Sequence, residues 1–434
     1  MDDLKEALEQ FKNQPILVIG DLMLDAYTYG DILRISPEAP VPVLLKKDEK
    51  FVPGGAGNVA YNLAALGGRV GLCGILGQDE SGDILLEILK EKKIDTEFVI
   101  HDKTRPTTIK RRFVAGNNQL IRVDEEYTDN LDEKNEAKLL ILLNKEIKNF
   151  KCIVLSDYAK GFFSSNLTKG IIKIAKENKV LMIADIKPKN MALFKGVDLI
   201  TPNLKEAKEM TGLIDIGDIG KKLVEYFKAD IMVTRGEEGI IIFTKKGLSH
   251  DFPTKKIKVF DVSGAGDTVI AVTALSLMSG LNLEDAAFLA NHAGCLAVQK
   301  PGTAAIYLDE LKAIAYTGRH LDEVDSVPKL WGYEKWLENN EKYCSKMMSL
   351  KPGYQCSLHY HKIKDETFYV LKGYIRMEVG NEILYMREGN FVRITPGTIH
   401  RFRGLEDSEF LEISTHHEDD DSYRIEESRK VELD

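Results

Sequence analysis

The sequence predicts an α/β protein, with a doubly wound, mostly parallel sheet carrying a β-strand lid, followed by a small all-β barrel or jelly roll. Three observations predict it. Short apolar runs alternate with helix-patterned segments from residue 16 to about 315. Two β-rich stretches, 28–47 and 107–126, interrupt that rhythm. After about 315 the pattern becomes short alternating strands divided by turns such as Pro352-Gly353, Lys372-Gly373, Gly380-Asn381 and Pro396-Gly397. A chain of 434 residues is too long for one ordinary core. The expected division is a first domain over 1–316, a linker over 317–330 and a second domain over 331–434 that ends in an acidic tail.

In chain order, ILVIG (16–20), CIVLSD (152–157), VLMIAD (180–185), VDLITPN (197–203) and IMVTRG (231–236) read as buried parallel strands. Each ends in a polar residue or glycine, at the strand ends where ligands gather in such folds. The stretches 28–47 and 107–126 read as antiparallel strands placed to cover the site. TGRHLDEVDSVPKL (317–330) has no sustained apolar period and reads as linker. Both tryptophans and five of the nine histidines fall after it, which marks a compositional boundary.

Composition narrows the function. With 44% hydrophobic and 29% charged residues the chain is globular, and its net charge of −9 gives no electrostatic case for nucleic acid or an anionic membrane. Five scattered cysteines (Cys73, Cys152, Cys295, Cys344, Cys356) lack paired spacing, which argues against a disulfide framework and fits a reducing compartment. The first residues carry acids and no apolar segment, so no signal peptide is read there, and no window is apolar enough to span a bilayer. The expectation is a soluble, cytoplasmic protein.

The most informative segment is VFDVSGAGDTVIAVTALSLMSG (259–280), a strand end, a Gly-Ala-Gly turn and an apolar helix without a gap. That order aims the amides of Gly264, Ala265 and Gly266 at one point at the positive end of the helix dipole. Such a point suits a phosphoryl group in transfer. Asp267 follows in the first turn, where a carboxylate can take the proton of an attacking hydroxyl or simply cap the helix.

Together DVSGAGDT (261–268), VPGGAGNVAYNLAALG (52–67) and NLKE (203–206) resemble the ribokinase, or PfkB, family of carbohydrate kinases over roughly 1–315. The resemblance implies ATP and Mg²⁺, with Asp267 as general base and the turn amides as anion hole. It implies that Gly54, Gly55 and Asn58 line the sugar pocket, with Asp21 and Asp25 accepting from sugar hydroxyls. Asn203 and Glu206 would support magnesium near the phosphates through water, although the same pair also reads as a helix cap. Thr234, Arg235 and Gly236 match the nucleotide-side strand end, and Asn291 with the loop around Gly302 matches the border of the base. Family members often pair through their lid strands, so a homodimer is expected.

Within that family GDLMLDAYTYGDILRISPEAPVPV (20–43), supported by NNQLIRVDEE (117–126) and LSDYAKG (155–161), resembles the D-glycero-D-manno-heptose 7-phosphate kinases. The implied reaction phosphorylates the anomeric hydroxyl of a sugar already phosphorylated at its far end. Such a substrate needs cations, and Arg34, Lys110, Arg112 and Lys187 lie in segments that could border the pocket. Any one of them also reads as ordinary surface charge. Bacterial bifunctional members of that subgroup continue into a nucleotidyltransferase; this chain has instead the barrel-patterned segment. That departure leaves a related heptose or hexose phosphate, or an unphosphorylated hexose or pentose, open as substrate.

In the second domain His359 and His361 are two apart on a strand and so face the same way, with Glu366 and His400 placed to join them. Three imidazoles and a carboxylate suit Fe(II), Mn(II), Ni(II) or Zn(II). GYQCSLHYHKIKDETFYVLKG (353–373) and GNFVRITPGTIHRF (389–402) resemble the paired cupin motifs, with Thr395 where the second motif usually has proline. WGYEKWLENNEKYCSKMMSLKPG (331–353) resembles the sugar-isomerase branch, of the D-lyxose isomerase type. That likeness implies aldose–ketose interconversion; a non-catalytic sensor or oligomerisation module is the alternative. Cys356 is expected to pack, and His416 and His417 to be solvated.

Overall fold

The computed structural model describes residues 2–116, 118–254, 259–300, 302, 305–317, 324 and 326–432. The chain divides into two compact units, Met1–Tyr316 and Thr317–Asp434. Each is described by itself.

In the first unit a nine-stranded sheet runs in the order Ser249–Phe252, Ile240–Phe243, Asp230–Thr234, Leu199–Ile200, Leu181–Asp185, Cys152–Ser156, Pro15–Gly20, Arg69–Gly77, Asp95–Asp102. Seven strands are parallel, and the hairpin Ile240–Phe243/Ser249–Phe252 closes one edge antiparallel. Pro15–Gly20 shows why a doubly covered strand is apolar throughout. Ile16 and Val18 pack into the core on one face, and Leu17 and Ile19 into the core on the other. Two parallel strands were not read from the sequence, Arg69–Gly77 and Asp95–Asp102. Glycine breaks the apolar run of the first, because a Cβ at Gly71 would lie 2.9 Å from the Phe150 ring. VDLITPN yields only the two-residue strand Leu199–Ile200.

The lid is a separate four-stranded sheet, Pro42–Gly55, Leu22–Ile35, Thr108–Ala115 and Asn118–Glu125 in that order. The sequence reading of antiparallel lid strands needs correction at the middle. Leu22–Ile35 pairs with Thr108–Ala115 in parallel, and only the two hairpins are antiparallel. The pairing is parallel because the lid comes from two excursions that leave the main sheet in the same direction. Helix Ala265–Met278 is buried from Asp267 to Ser276, which explains its nearly all-apolar composition.

The second unit is two antiparallel sheets. One holds Ser326–Lys329, Gly332–Asn339, Cys344–Leu350, Ser408–Ser414, Glu366–Lys372 and Phe391–Ile394. The other holds Glu382–Arg387, Tyr374–Val379, His400–Gly404, Tyr354–Gln355 and Arg429–Lys430, with Leu358–Tyr360 and Tyr423–Glu426 beside His400–Gly404. Trp331, Phe368, Phe402 and Phe410 fill the core, and Cys356 packs with them. Two expectations change here. The segment 317–330 is not linker throughout: Ser326–Lys329 is a strand paired with Gly332–Asn339, and helix Leu308–Thr317 reaches its start. The acidic C-terminal stretch, expected as a tail, is folded in at one residue, while Glu418, Asp420, Glu426 and Glu427 are exposed. Asp421 is 6% exposed and accepts the backbone amides of Lys362, Ile363 and Lys364, which offsets the cost of burying its charge. Residues 318–323 and 325 of the expected linker lie outside the described residues. No helix among the described residues is long and apolar enough to cross a membrane.

Candidate functional site: a glycine-turn carboxylate and a histidine cluster

Gly264 takes a left-handed conformation, φ 78°, and so turns the chain from the preceding loop into helix Ala265–Met278. Asp267, 5% exposed, stands in the first turn. It does not accept from its own helix end. Asn58 Nδ2 donates to its Oδ2 at 2.6 Å and the Tyr158 hydroxyl to its Oδ1 at 2.9 Å. Burial pushes its carboxyl up to about 6, against the lowering effect of those two donors. Asn58 is fixed in turn through Asn62, which donates to the Asn58 carbonyl at 2.9 Å and accepts from Thr268 at 3.0 Å. Of the turn amides, that of Ala265 points back to the Val262 carbonyl at 3.4 Å. Gly266 and Asp267 present first-turn amides, which have no helical acceptor.

A cavity of about 180 Å³ adjoins Asp267 and is lined by Tyr158, Asp185, Lys187, Asn203, Glu206, Thr234, Gly264 and Gly266 among others. Asn203 and Glu206 form a reciprocal capping box, each bond 3.0 Å, so the helix-cap reading of NLKE holds. They also face the cavity. Glu206 Oε1 takes the Lys187 ammonium at 2.5 Å, and that ammonium lies 5.2 Å from the Tyr158 ring centre. Burial works against the Lys187 charge, but Asp185 and Glu206 outweigh it and raise its pKa. Asp185 is pushed up to about 7, mainly by burial and partly by the neighbouring carboxylates Glu206 and Asp267.

A second cavity, about 540 Å³, lies beyond the turn. Its walls are largely apolar, with Ile240, Val259, Val262, Val269 and Val298, and Thr234, Gly236, Asn291 and Cys295 also line it. Asn291 spends its side-chain amide on the carbonyls of Phe252 and Pro253, at 3.1 and 3.2 Å, and so ties the edge hairpin to the wall. Arg235 does not line the cavity. Its guanidinium donates to the Glu238 carbonyl and to Asp251 on the antiparallel edge, a diversion set by the hairpin. The Gly302 amide donates to Asp261 at 3.2 Å; residues 301, 303 and 304 around it lie outside the described residues.

On the lid side, Asp25 is 5% exposed and takes the Arg112 guanidinium at 2.6 Å. Gly54 lets the chain pass close to Asp25, since a Cβ would meet Asp25 Oδ2 and Met23 Cγ at 2.7 Å and force those side chains to shift. Lys110, opposite Asp25 in the strand pairing, is held below its usual pKa by burial. Two expected substrate residues move out of that role. Asp21 has both oxygens engaged by the backbone amides of Tyr158, Lys160 and Phe162, at 2.8, 3.2 and 3.2 Å, so it shapes the Tyr158 loop. Arg34 is exposed, nine residues along the lid strand from Asp25, about 30 Å at the usual rise. The sequence reading missed Tyr158 and Asp185 as site residues. Both sit at the C-terminal end of a buried strand, the one signal that could have flagged them.

In the second unit the ligand atoms of His359, His361 and His400 lie within 4.8 Å of one another. Glu366 completes the set, its Oε2 3.2 Å from His400 Nε2 and its Oε1 3.6 Å from His361 Nε2. Glu366 Oε2 and His400 Nε2 are buried without a hydrogen-bond partner, the condition of atoms meant for a cation. Second contacts fix the rings: His359 Nδ1 meets the Ser357 carbonyl at 2.9 Å, His400 Nδ1 that of Thr398 at 3.1 Å, and His361 Nδ1 that of Asp421. Burial and His400 push His359 down to about 3, so it stays the neutral imidazole that metal ligation requires. His416 is exposed, whereas His417 packs against the Trp336 ring, at 4.8 Å between centres.

Residues 13–310 match the profile of the pfkB family carbohydrate kinases, and residues 346–414 that of the cupin domain. The chain belongs to the pfkB family. Among curated relatives it is 42% identical over 305 residues to the bifunctional protein HldE of Azorhizobium caulinodans, covering 69% of this chain and 64% of that one. It is 40% identical over 339 residues to bifunctional protein HldE of Helicobacter pylori strain HPAG1, covering 77% and 71%. The chain spans 60–64% of the length of the Azorhizobium caulinodans protein and two Geobacter relatives of the same description. Solved structures show the same pfkB-type fold. They include a ribokinase-type protein of Agrobacterium tumefaciens (TM-score 0.59, 20% identity, 71% of this chain and 100% of that one). Another is the Arabidopsis thaliana ribokinase complexed with ribose and ATP (TM-score 0.55, 19% identity, 70% and 98%).

Proposed function

We propose that the first unit transfers the ATP γ-phosphoryl group to the anomeric hydroxyl of a sugar phosphate, D-glycero-D-manno-heptose 7-phosphate being the leading substrate. The observation that carries this is Asp267, buried at the mouth of the glycine turn and aimed by Asn58 and Tyr158. Asp267 takes the hydroxyl proton as the oxygen–phosphorus bond forms and the bond to the ADP oxygen breaks. The first-turn amides of Gly266 and Asp267, presented by the Gly264 turn, and Lys187 stabilise the charge of the group in transfer. Thr234 and Gly236 border the phosphates, Asn291 and Gly302 the base. Mg²⁺, when bound, would neutralise the phosphates, held through water by Asn203 and Glu206; both Glu206 oxygens already have partners, which suits indirect contact. Gly54, Gly55, Asn58 and Asp25 shape the sugar pocket, with Lys110 and Arg112 at its phosphate end.

A second reading, kinase of an unphosphorylated hexose or pentose, is favoured by one observation. Arg112 and Lys187 are already paired with Asp25 and Glu206, and Arg34 is remote, which leaves Lys110 as the uncommitted cation among those four. ADP release with ATP and Mg²⁺, across sugars with and without a terminal phosphate, decides. Turnover confined to unphosphorylated sugars overturns the first reading.

For the second unit the proposal is a divalent transition metal (Fe, Mn, Ni or Zn) on His359, His361, Glu366 and His400, serving aldose–ketose interconversion. The metal would polarise a sugar carbonyl. We place the chain in the cytoplasm, in keeping with its free cysteines, as a homodimer through the lid, where Leu33, Ile35, Leu45 and Ile121 are exposed.

A further inference from the structure

The barrel interior beside the histidine cluster holds a run of buried charges that a four-ligand metal site does not by itself require. The Lys364 side chain is 3% exposed, and its ammonium donates to Glu366 Oε1 at 2.6 Å and also to Glu412. Glu412 is 4% exposed, and the equally buried Lys346 lies 3.8 Å from it. Lys346 in turn stands 3.8 Å over the Trp336 ring. Lys364, Glu412 and Lys346 are taken out of water beside the ligand Glu366, which is costly unless they are well paired, and apolar residues of the same volume would pack at less cost. The arrangement therefore calls for a reason beyond stability.

The two oxygens of Glu366 show one. Oε1 is occupied by the Lys364 ammonium, whereas Oε2 has no donor and faces the equally unpartnered Nε2 of His400. A carboxylate can meet a metal with one oxygen or with both. Here the Lys364 ammonium draws Oε1 to itself at 2.6 Å, and swinging Lys364 away would leave Glu412 with only Lys346, at 3.8 Å, and the Ser414 hydroxyl beside it.

We propose that Lys364, braced by Glu412, is a positioning residue that holds Glu366 as a one-oxygen ligand and so keeps two coordination positions open for the carbonyl and adjacent hydroxyl oxygens of a sugar. This rests on the metal-binding reading of the second unit. Three imidazole nitrogens and one carboxylate oxygen fill four of the six positions of an octahedral ion; a two-oxygen carboxylate takes a fifth and leaves room for one substrate atom. A hydroxy-carbonyl sugar chelates through two, so the ammonium sets the substrate class as well as the ligand geometry.

The test counts water on the metal, independently of turnover. The full chain is loaded with Mn²⁺, and its EPR lines are recorded in ordinary and oxygen-17-enriched water, whose broadening reports the number of bound waters. The wild type is expected to hold two waters, K364R to keep two because it retains a donor, and K364M to hold one. The double variant K364M/E412M removes Lys364 and its brace together, leaving Lys346 seated over the Trp336 ring, and it too should hold one. Two waters in K364M or in the double variant overturn the positioning role. A wild-type chain that binds no Mn²⁺ overturns the metal reading beneath it.

Discussion

Asn58 and Asp267, 209 residues apart in sequence, meet at 2.6 Å with the Asn58 side-chain amide donating to Asp267 Oδ2. One comes from the helix after the Gly54-Gly55 turn and the other from the helix after the Gly264 turn. Two glycine turns thus bring a carboxylate and the residue that aims it to one point.

Replacing Asp267 with Asn keeps size and polarity but removes the proton acceptor. Phosphoryl transfer is expected to fall about 10²- to 10⁴-fold. ATP affinity by calorimetry should change little, because Asp267 lies in the small cavity beside the larger one. Near-normal ADP release from this variant removes Asp267 as base.

The pH dependence follows from the raised pKa of Asp267. A base must be ionised to accept, so kcat/KM should fall tenfold per pH unit below about 6. The Tyr158 donor lowers that pKa, so Tyr158→Phe should move the acid limb to higher pH. A limb that stays in place shows that Tyr158 does not tune the base.

Gly54 and Gly55 should resist alanine for different reasons. At Gly54 a Cβ meets Asp25 Oδ2 at 2.7 Å, so Gly54→Ala should raise KM for the sugar. At Gly55 φ is +56° and a Cβ meets the Asp21 carbonyl at 2.5 Å, so Gly55→Ala should cost stability, about 3 kcal/mol. Thermal denaturation separates the two: the second should melt earlier, because the atoms crowding Gly54, Asp25 Oδ2 and Met23 Cγ, belong to side chains that can shift.

Lys110 and Arg34 offer a contrast at the lid. Lys110→Met should raise KM for a phosphorylated sugar about tenfold or more and leave kcat nearly unchanged, whereas Arg34→Ala should change neither. Equal effects of the two substitutions place the substrate phosphate elsewhere.

In the barrel, His361→Ala should abolish stoichiometric metal, read by elemental analysis of dialysed protein, while His416→Ala keeps it. His361 meets the other two histidines within 4.8 Å; His416 is exposed and bonds the Asn340 carbonyl. Full retention of metal in the His361 variant moves the site.

The sequence by itself determined the elements whose cause is local. Unbroken apolar runs mark Pro15–Gly20 and Ala265–Met278 wherever they end up, because both are buried on every side. The turn into the helix is legible because φ at Gly264 needs glycine, and His359 and His361 declare a shared face through strand alternation. Tertiary structure decided what depends on distant partners. Asp21 looks like an open carboxylate in GDLMLD, and only folding brings three amides of the 158–162 loop onto it. Arg34 looks like a pocket cation until the lid strand carries it away from Asp25. Tyr158 and Asp421 carry no local sign of their partners, because a hydrogen bond between residues far apart in sequence leaves no period to read.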